Sequence, residues 1–256
     1  KTTAITTTEK IEETEVIYFN YKISEDNTVE ITKYIGTAVD VVIPAKIEGL
    51  PVTKIGNSTF NNMNSLVSVN IPNTVTEIGE FAFHYCTGLK EITIPDSVTV
   101  IGRNAFSYCQ NIITVKMSDS IETIGNSAFY NCKALLAIEL PDSAKSIGSQ
   151  CFYDCDALTR IILPDNIVVG EAAFQYCSVL EALNLPENVT LGSRAFANCD
   201  NLNKLTFEGT TAVLESSVFN TCHNLQYVVF PEKLEEISDG CFAYCTTLAS
   251  ISLPSS

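Results

Sequence analysis

Residues 82–102 read AFHYCTGLKEITIPDSVTVIG, and residues 105–125 read AFSYCQNIITVKMSDSIETIG. Aligned, Ala82 falls on Ala105, Phe83 on Phe106, Cys86 on Cys109, Leu89 on Ile112, and Ile101-Gly102 on Ile124-Gly125. Outward in both directions the same phenylalanine returns as Phe60, Phe83, Phe106, Phe129, Phe152, Phe174, Phe196, Phe219 and Phe242, always 22 or 23 residues from the last. Three residues after each stands Met63, then Cys86, Cys109, Cys132, Cys155, Cys177, Cys199, Cys222 and Cys245; three further on is a Leu or Ile. The unit is A-F-x-x-C-x-x-L-x-x-I-x-[IL]-P-x-x-V-x-x-I-G, and self-similarity at such a period marks stacked repeats.

Each piece of the unit has a local reading. In Leu89-x-x-Ile92-x-Ile94 alternate side chains turn inward as in a short strand, and Pro95, which lacks an N–H, ends the pairing. Ile101-Gly102 predicts a corner with glycine at φ > 0. Ala-Phe-x-x-Cys predicts one short turn of α- or 3₁₀-helix with Phe and Cys inward. So small a unit cannot bury its apolar face alone, and its neighbours must supply the missing burial and strand hydrogen bonds. Nine Ile-x-Ile strands at ~4.8 Å predict a parallel sheet roughly 40 Å long.

The unit resembles the bacterial surface leucine-rich repeats of the BspA type, typified by A-F-x-x-C-x-x-L-x-x-I-x-I-P, over about residues 39–254. The resemblance implies a repeat solenoid: a leucine-rich-repeat right-handed superhelix with a parallel sheet on one face and short helical or 3₁₀ turns on the other. It also implies an extracellular place at a bacterial cell surface. The general consensus continues into an Asn ladder after the strand, where this chain has Ser97, Ser120, Ser143, Asn166 and Asn188, so curvature is not carried over.

Ahead of the full units, Tyr18–Ile23 and Val29–Ile35 are strand-like runs separated by Ser24-Glu25-Asp26-Asn27, a hairpin signal. Residues 16–38 read as an N-terminal β-hairpin cap and the Thr-rich residues 1–15 as linker. Residues 39–256 read as the repeat array, about nine units plus a partial one. The array stops at Leu253-Pro254 without a polar cap, which predicts a fragment of a longer protein. The most divergent unit, with Glu208–Glu215 in place of the Ile-Pro turn and corner, reads as a local bend between regular neighbours, a ligand loop being the alternative.

The chain has 256 residues, 30 acidic and 15 basic, for a net charge of −15. With no run of Lys or Arg, such a surface repels phosphate backbones and anionic membranes, so no nucleic acid is expected as partner. No apolar stretch approaches the ~20 residues that span a bilayer, so no membrane insertion is expected. No apolar leader precedes the repeats, so a signal peptide is expected to be removed or never present.

Ten cysteines suggest a disulfide framework or metal array, but zinc ligands come in close pairs. Only Cys151…Cys155 and Cys241…Cys245 approach that spacing, without nearby His, and Cys151 and Cys241 occupy positions that are alanine in other units. The ladder reads as buried free thiols, with metal and disulfide the lesser alternatives. His84 and His223 lie six units apart and cannot meet; His223 beside Cys222 is a conceivable pair, but adjacent residues point in different directions. No nucleophile elbow or phosphate loop is present, so no enzyme, metal or cofactor is expected. Asn73, Asp96, Asp119, Asp142, Asp165, Glu187 and Glu232 stand in register after the strands, either as turn residues bonding their own backbone or as a weak Ca²⁺ ladder.

Solenoids bind through extended faces. The outward strand rows are mostly small, with Lys116, Glu139, Arg160, Ile162, Lys204, Tyr227 and Val229 as the best-placed interaction residues. Tyr85, Tyr108, Tyr176 and Tyr244, each two residues after its phenylalanine, read as rings packing on neighbouring coils, with a second interaction surface as the alternative. The expected function is a non-catalytic cell-surface binding or adhesion module for a host or microbial protein or glycan; the alternative is a structural spacer. The oligomeric state is not legible.

Overall fold

The structure, a computed structural model, describes residues 18–234 and 237–251; the expected linker, residues 1–15, lies outside them. The chain winds as a solenoid whose coils carry parallel strands on two sides. On one side the two to four residues leading into each corner (Glu77–Ile78, Val100–Ile101, Thr123–Ile124 and their successors to Lys233–Leu234) pair coil to coil. Leu50–Ile55, with the short antiparallel strand Lys46–Ile47 beside it, and the antiparallel hairpin of Phe19–Ile23 with Val29–Tyr34 extend them into a single 12-stranded sheet. On the other side lie the Ile-x-Ile strands. These form four separate ladders: Asp40–Val42 with Ser68–Asn70, Glu91–Thr93 with Thr114–Lys116, Ala137–Glu139 with Arg160–Ile162, and Ala182–Leu185 with Lys204–Phe207 and Tyr227–Val229. The expected continuous sheet therefore sits one side over, at the corner strands, and the Ile-x-Ile face is interrupted.

Glycine explains where the coils close up, by a route other than the one expected. The corner glycines do not take positive φ; among the described glycines only Gly49 and Gly240 do. What they lack is room for a Cβ. On Gly102 it would lie 2.7 Å from the carbonyl carbon of Gly79, and on Gly125 2.7 Å from the Arg103 nitrogen. The corner N–H donates to the previous coil, as in Gly102 N to Ile78 O at 2.7 Å. Backbones in direct contact keep this sheet paired along the array.

The Ala-Phe-x-x-Cys segment is not helical, and among the described residues neither α- nor 3₁₀-helix forms. Left-handed residues interrupt each turn two positions before and two after the phenylalanine: Phe81 and Tyr85 around Phe83, Asn104 and Tyr108 around Phe106, Gln150 and Asp154 around Phe152, all with φ between 54° and 60°. A left-handed residue cannot continue a helix. Its N–H instead reaches the next coil: Phe81 and Tyr85 donate to the carbonyls of Arg103 and Ser107, both at 3.0 Å, and Phe83 between them donates to Ala105 O at 2.7 Å. The alternate residues close short turns within the coil, as His84 N does to Phe81 O and Cys86 N to Phe83 O.

The core is one continuous column. Phe60 through Phe219 are buried and stack with planes nearly parallel. Where the incoming coil has a corner glycine, successive ring centroids lie 4.9–5.3 Å apart, from Phe60–Phe83 at 4.9 Å to Phe129–Phe152 at 5.3 Å. Glu215 and Ser238 replace that glycine in the last two coils, and there the rings stand 5.8 and 5.5 Å apart. The divergent stretch bends at Gly209–Thr210, as expected, and then returns to the regular pairing. Thr211–Leu214 is a strand in register with Val189–Leu191, and Glu215 N still donates to Leu191 O at 3.0 Å.

Candidate functional site

The Ile-x-Ile strands project two rows outward because each buries its alternate residues. Ile92, Val115, Ile138, Ile161, Leu183 and Leu205 are buried, whereas Lys116, Glu139, Arg160, Lys204, Tyr227 and Val229 are exposed and Ile162 is half-buried. Register sets their neighbours. Ala137 lies opposite Arg160 and Glu139 opposite Ile162; further along, Lys204 stands between Ala182 and Tyr227, and Thr206 opposite Val229. Lys116, Glu139 and Ile162 line one shallow groove with Thr114, Asp119 and Asp142; Tyr227 and Val229 line another with Gln226, Thr247 and Ser250. The seven residues thus form a stripe along the array, with Arg160 and Lys204 two coils apart across the small Ala182.

Ion pairing divides the cations of the molecule, and among the described residues those of this stripe fall, with Lys33, Lys46, Lys90, Arg103 and Lys233, on the side without a carboxylate partner. Lys54, Lys133, Lys145 and Arg194 each reach a carboxylate of an adjacent coil, at 2.6, 2.7, 2.8 and 3.7 Å. Among the described residues no carboxylate lies within 4.0 Å of the charged ends of Lys116, Arg160 or Lys204. Tyr227, opposite Lys204, and Val229, opposite Thr206, are 64% and 53% exposed. Unpaired cations flanked by open apolar surface suit a partner bringing carboxylates and apolar groups.

All ten cysteines are free thiols and buried. Eight donate to the carbonyl of the preceding coil's phenylalanine, from Cys109 to Phe83 O at 3.0 Å to Cys155 to Phe129 O at 3.4 Å. Burial raises their pKa, to about 12 at Cys86, Cys155 and Cys199, so none is an activated nucleophile. His84 pairs with Ser107 and His223 with Asp200 at 2.9 Å, while Cys222 donates to Phe196 O. The conceivable His223–Cys222 pair is not assembled. Among the described residues no group of three or more His, Cys, Asp or Glu could hold a metal ion.

Three of the acidic turn residues, Asp96, Asp165 and Glu187, bond the next coil rather than their own backbone. Asp96 accepts from Asp119 N at 3.2 Å, Asp165 from Glu187 N at 3.0 Å, and Glu187 from the N–H and hydroxyl of Thr210 at 2.8 and 2.9 Å. Those last bonds lower the Glu187 pKa. The charges of these three are thereby spread over a backbone amide one coil away.

On the turn side, Tyr85 and Tyr108 stack as expected, and Tyr176 crosses Tyr153, but Tyr244 is 72% exposed without an aromatic neighbour among the described residues. Sequence alignment misses Tyr130 and Tyr153, which follow their phenylalanines by one residue instead of two. The shift is local. Asn131 and Asp154 take over the left-handed position, and the tyrosines one residue earlier still reach the same column of rings.

Parallel coils, a phenylalanine column and outward rows on short strands define a leucine-rich repeat solenoid. The chain belongs to the family described as the BspA type leucine rich repeat region, matched in six copies over residues 53–181 and 168–256. A leucine-rich cell surface protein from Faecalibacterium prausnitzii is similar, with 28% identity, a TM-score of 0.72, and 93% of this chain and 81% of that one covered. The leucine-rich repeat protein of T. pallidum shares 27% identity at a TM-score of 0.62, covering 81% of this chain and 88% of its own. The pneumococcal vaccine antigen PcpA, 21% identical at a TM-score of 0.57 over 92% of this chain and 68% of its own, shares the fold. No curated protein matches significantly.

Proposed function

We propose that this chain is a non-catalytic binding or adhesion module at a bacterial cell surface, recognising a host or microbial protein or glycan through the Ile-x-Ile face. The observation that carries the reading is the stripe of Arg160, Lys204, Tyr227 and Val229, in which cations without carboxylate partners share one face with open apolar side chains, Lys204 directly opposite Tyr227, on a protein of net charge −15. The family and the surface-protein description of its F. prausnitzii relative support the extracellular setting.

The test is capture on a broad array of surface proteins and glycans. Arg160→Glu combined with Tyr227→Ala should weaken capture of whichever ligand binds by at least about tenfold, the loss of roughly 1.4 kcal/mol, with an unchanged melting temperature. Equal capture by the double variant would move the site off this face. A wild-type chain that captures nothing would leave the molecule as a spacer.

A further inference from the structure

The turn side carries a column of five phenol rings, with Tyr244 apart from it, that neither the core nor the Ile-x-Ile face uses. Tyr85 and Tyr108 stack with centroids 4.5 Å apart and planes within 5° of parallel; Tyr130 and Tyr153 do so at 4.9 Å and 3°. The joins between these pairs differ, Tyr108–Tyr130 being tilted by 45° and Tyr153–Tyr176 crossed at 70°. The stacks rest on backbone bonded coil to coil, through Tyr85 N to Ser107 O and Asn131 N to Tyr153 O at 3.0 and 2.8 Å. The rings are partly exposed, Tyr85 by 38%, whereas every thiol is buried and cannot intercept an oxidant first.

We propose that Tyr85–Tyr108 and Tyr130–Tyr153 are sites of oxidative tyrosine coupling, at which hydrogen peroxide acting through a haem peroxidase links adjacent coils by a covalent bond. Each phenol gives up one electron and its hydroxyl proton. Peroxide takes both electrons and both protons and leaves as water. The two phenoxyl radicals join at the carbons beside their oxygens, and the hydrogens displaced from those carbons return to the oxygens as protons. The product is a biaryl bond between two intact phenols, lighter by one hydrogen from each ring. A parallel stack sets the two rings face to face at the coil spacing, so the second radical is already in place when the first forms. Tilted and crossed joins lack that alignment. Burial raises the Tyr130 and Tyr153 phenol pKa.

The full chain is treated with peroxide and peroxidase at dilute concentration, digested, and its linked peptides mapped by mass. The expected products are intramolecular Tyr85–Tyr108 and Tyr130–Tyr153 links, with a higher melting temperature for the treated protein. Tyr85→Phe keeps the ring stack but removes the phenol, and should abolish the first link while sparing the second. Adding Tyr130→Phe should abolish both links and the rise in melting temperature, with unchanged circular dichroism. If exposure governs the reaction instead, Tyr244 and Tyr227, at 72% and 64%, will couple first and between molecules. That result, an absence of coupling, or an unaltered melting temperature in linked protein would overturn the proposal.

Discussion

The cysteine at the third position after eight of the nine repeat phenylalanines does two things that alanine or valine does not do together. It fills a small apolar space, and its S–H donates to a buried carbonyl, as Cys132 does to Phe106 O at 3.3 Å. Cys132→Ala removes both and should cost about 1–3 kcal/mol in urea unfolding, through the cavity and the lost bond. Cys151→Ala restores the residue found at Ala105 and Ala128 and should cost less; equal losses would refute the donor role. Burial of this ladder was legible from its period and from the alanines that alternate with Cys151 and Cys241. The carbonyl partner was not, because it lies 25 or 26 residues away on another coil.

The short corner strand owes its pairing to its glycine. Gly102→Ala places a methyl group within van der Waals overlap of the Gly79 backbone, and should destabilise the fold by about 1–3 kcal/mol in denaturant titration. Little change would mean the coils can part at that point without loss. Sequence places this glycine and misassigns its reason, since a missing side chain and a positive φ are written with the same letter. The residues that do turn left-handed include Phe81, Tyr85, Gln150 and Arg194, which carry no such mark. Asn62, Asn104, Asn131 and Asn198 at equivalent places were the available signal, asparagine being tolerant of that conformation.

Across the whole molecule each coil touches only its neighbours, so stability varies from one interface to the next. The widest ring spacing, Phe196–Phe219 at 5.8 Å, coincides with Glu215 at a glycine position. Native-state hydrogen exchange should therefore show amides beyond Phe219 opening as a unit less stable than the coils between Phe83 and Phe196. Uniform protection along the array would contradict a weak interface there. The solenoid itself was plain in the spacing of nine phenylalanines, and so were the outward rows of the candidate face. Which of its cations lack partners was not, because ion pairs such as Lys54–Glu77 join residues whose registry only the stacked coils define.

The turn-side hydrogen bonds that run from coil to coil also decide how such a molecule would bear load. Pulled along its axis, the array carries the force through one interface after another, so the links are in series and the weakest yields first. A coil that yields replaces about 5 Å of height with roughly 75 Å of extended chain. The tether lengthens in discrete steps while the remaining coils stay wound, so a stretched solenoid keeps its grip and limits the peak tension on whatever it holds.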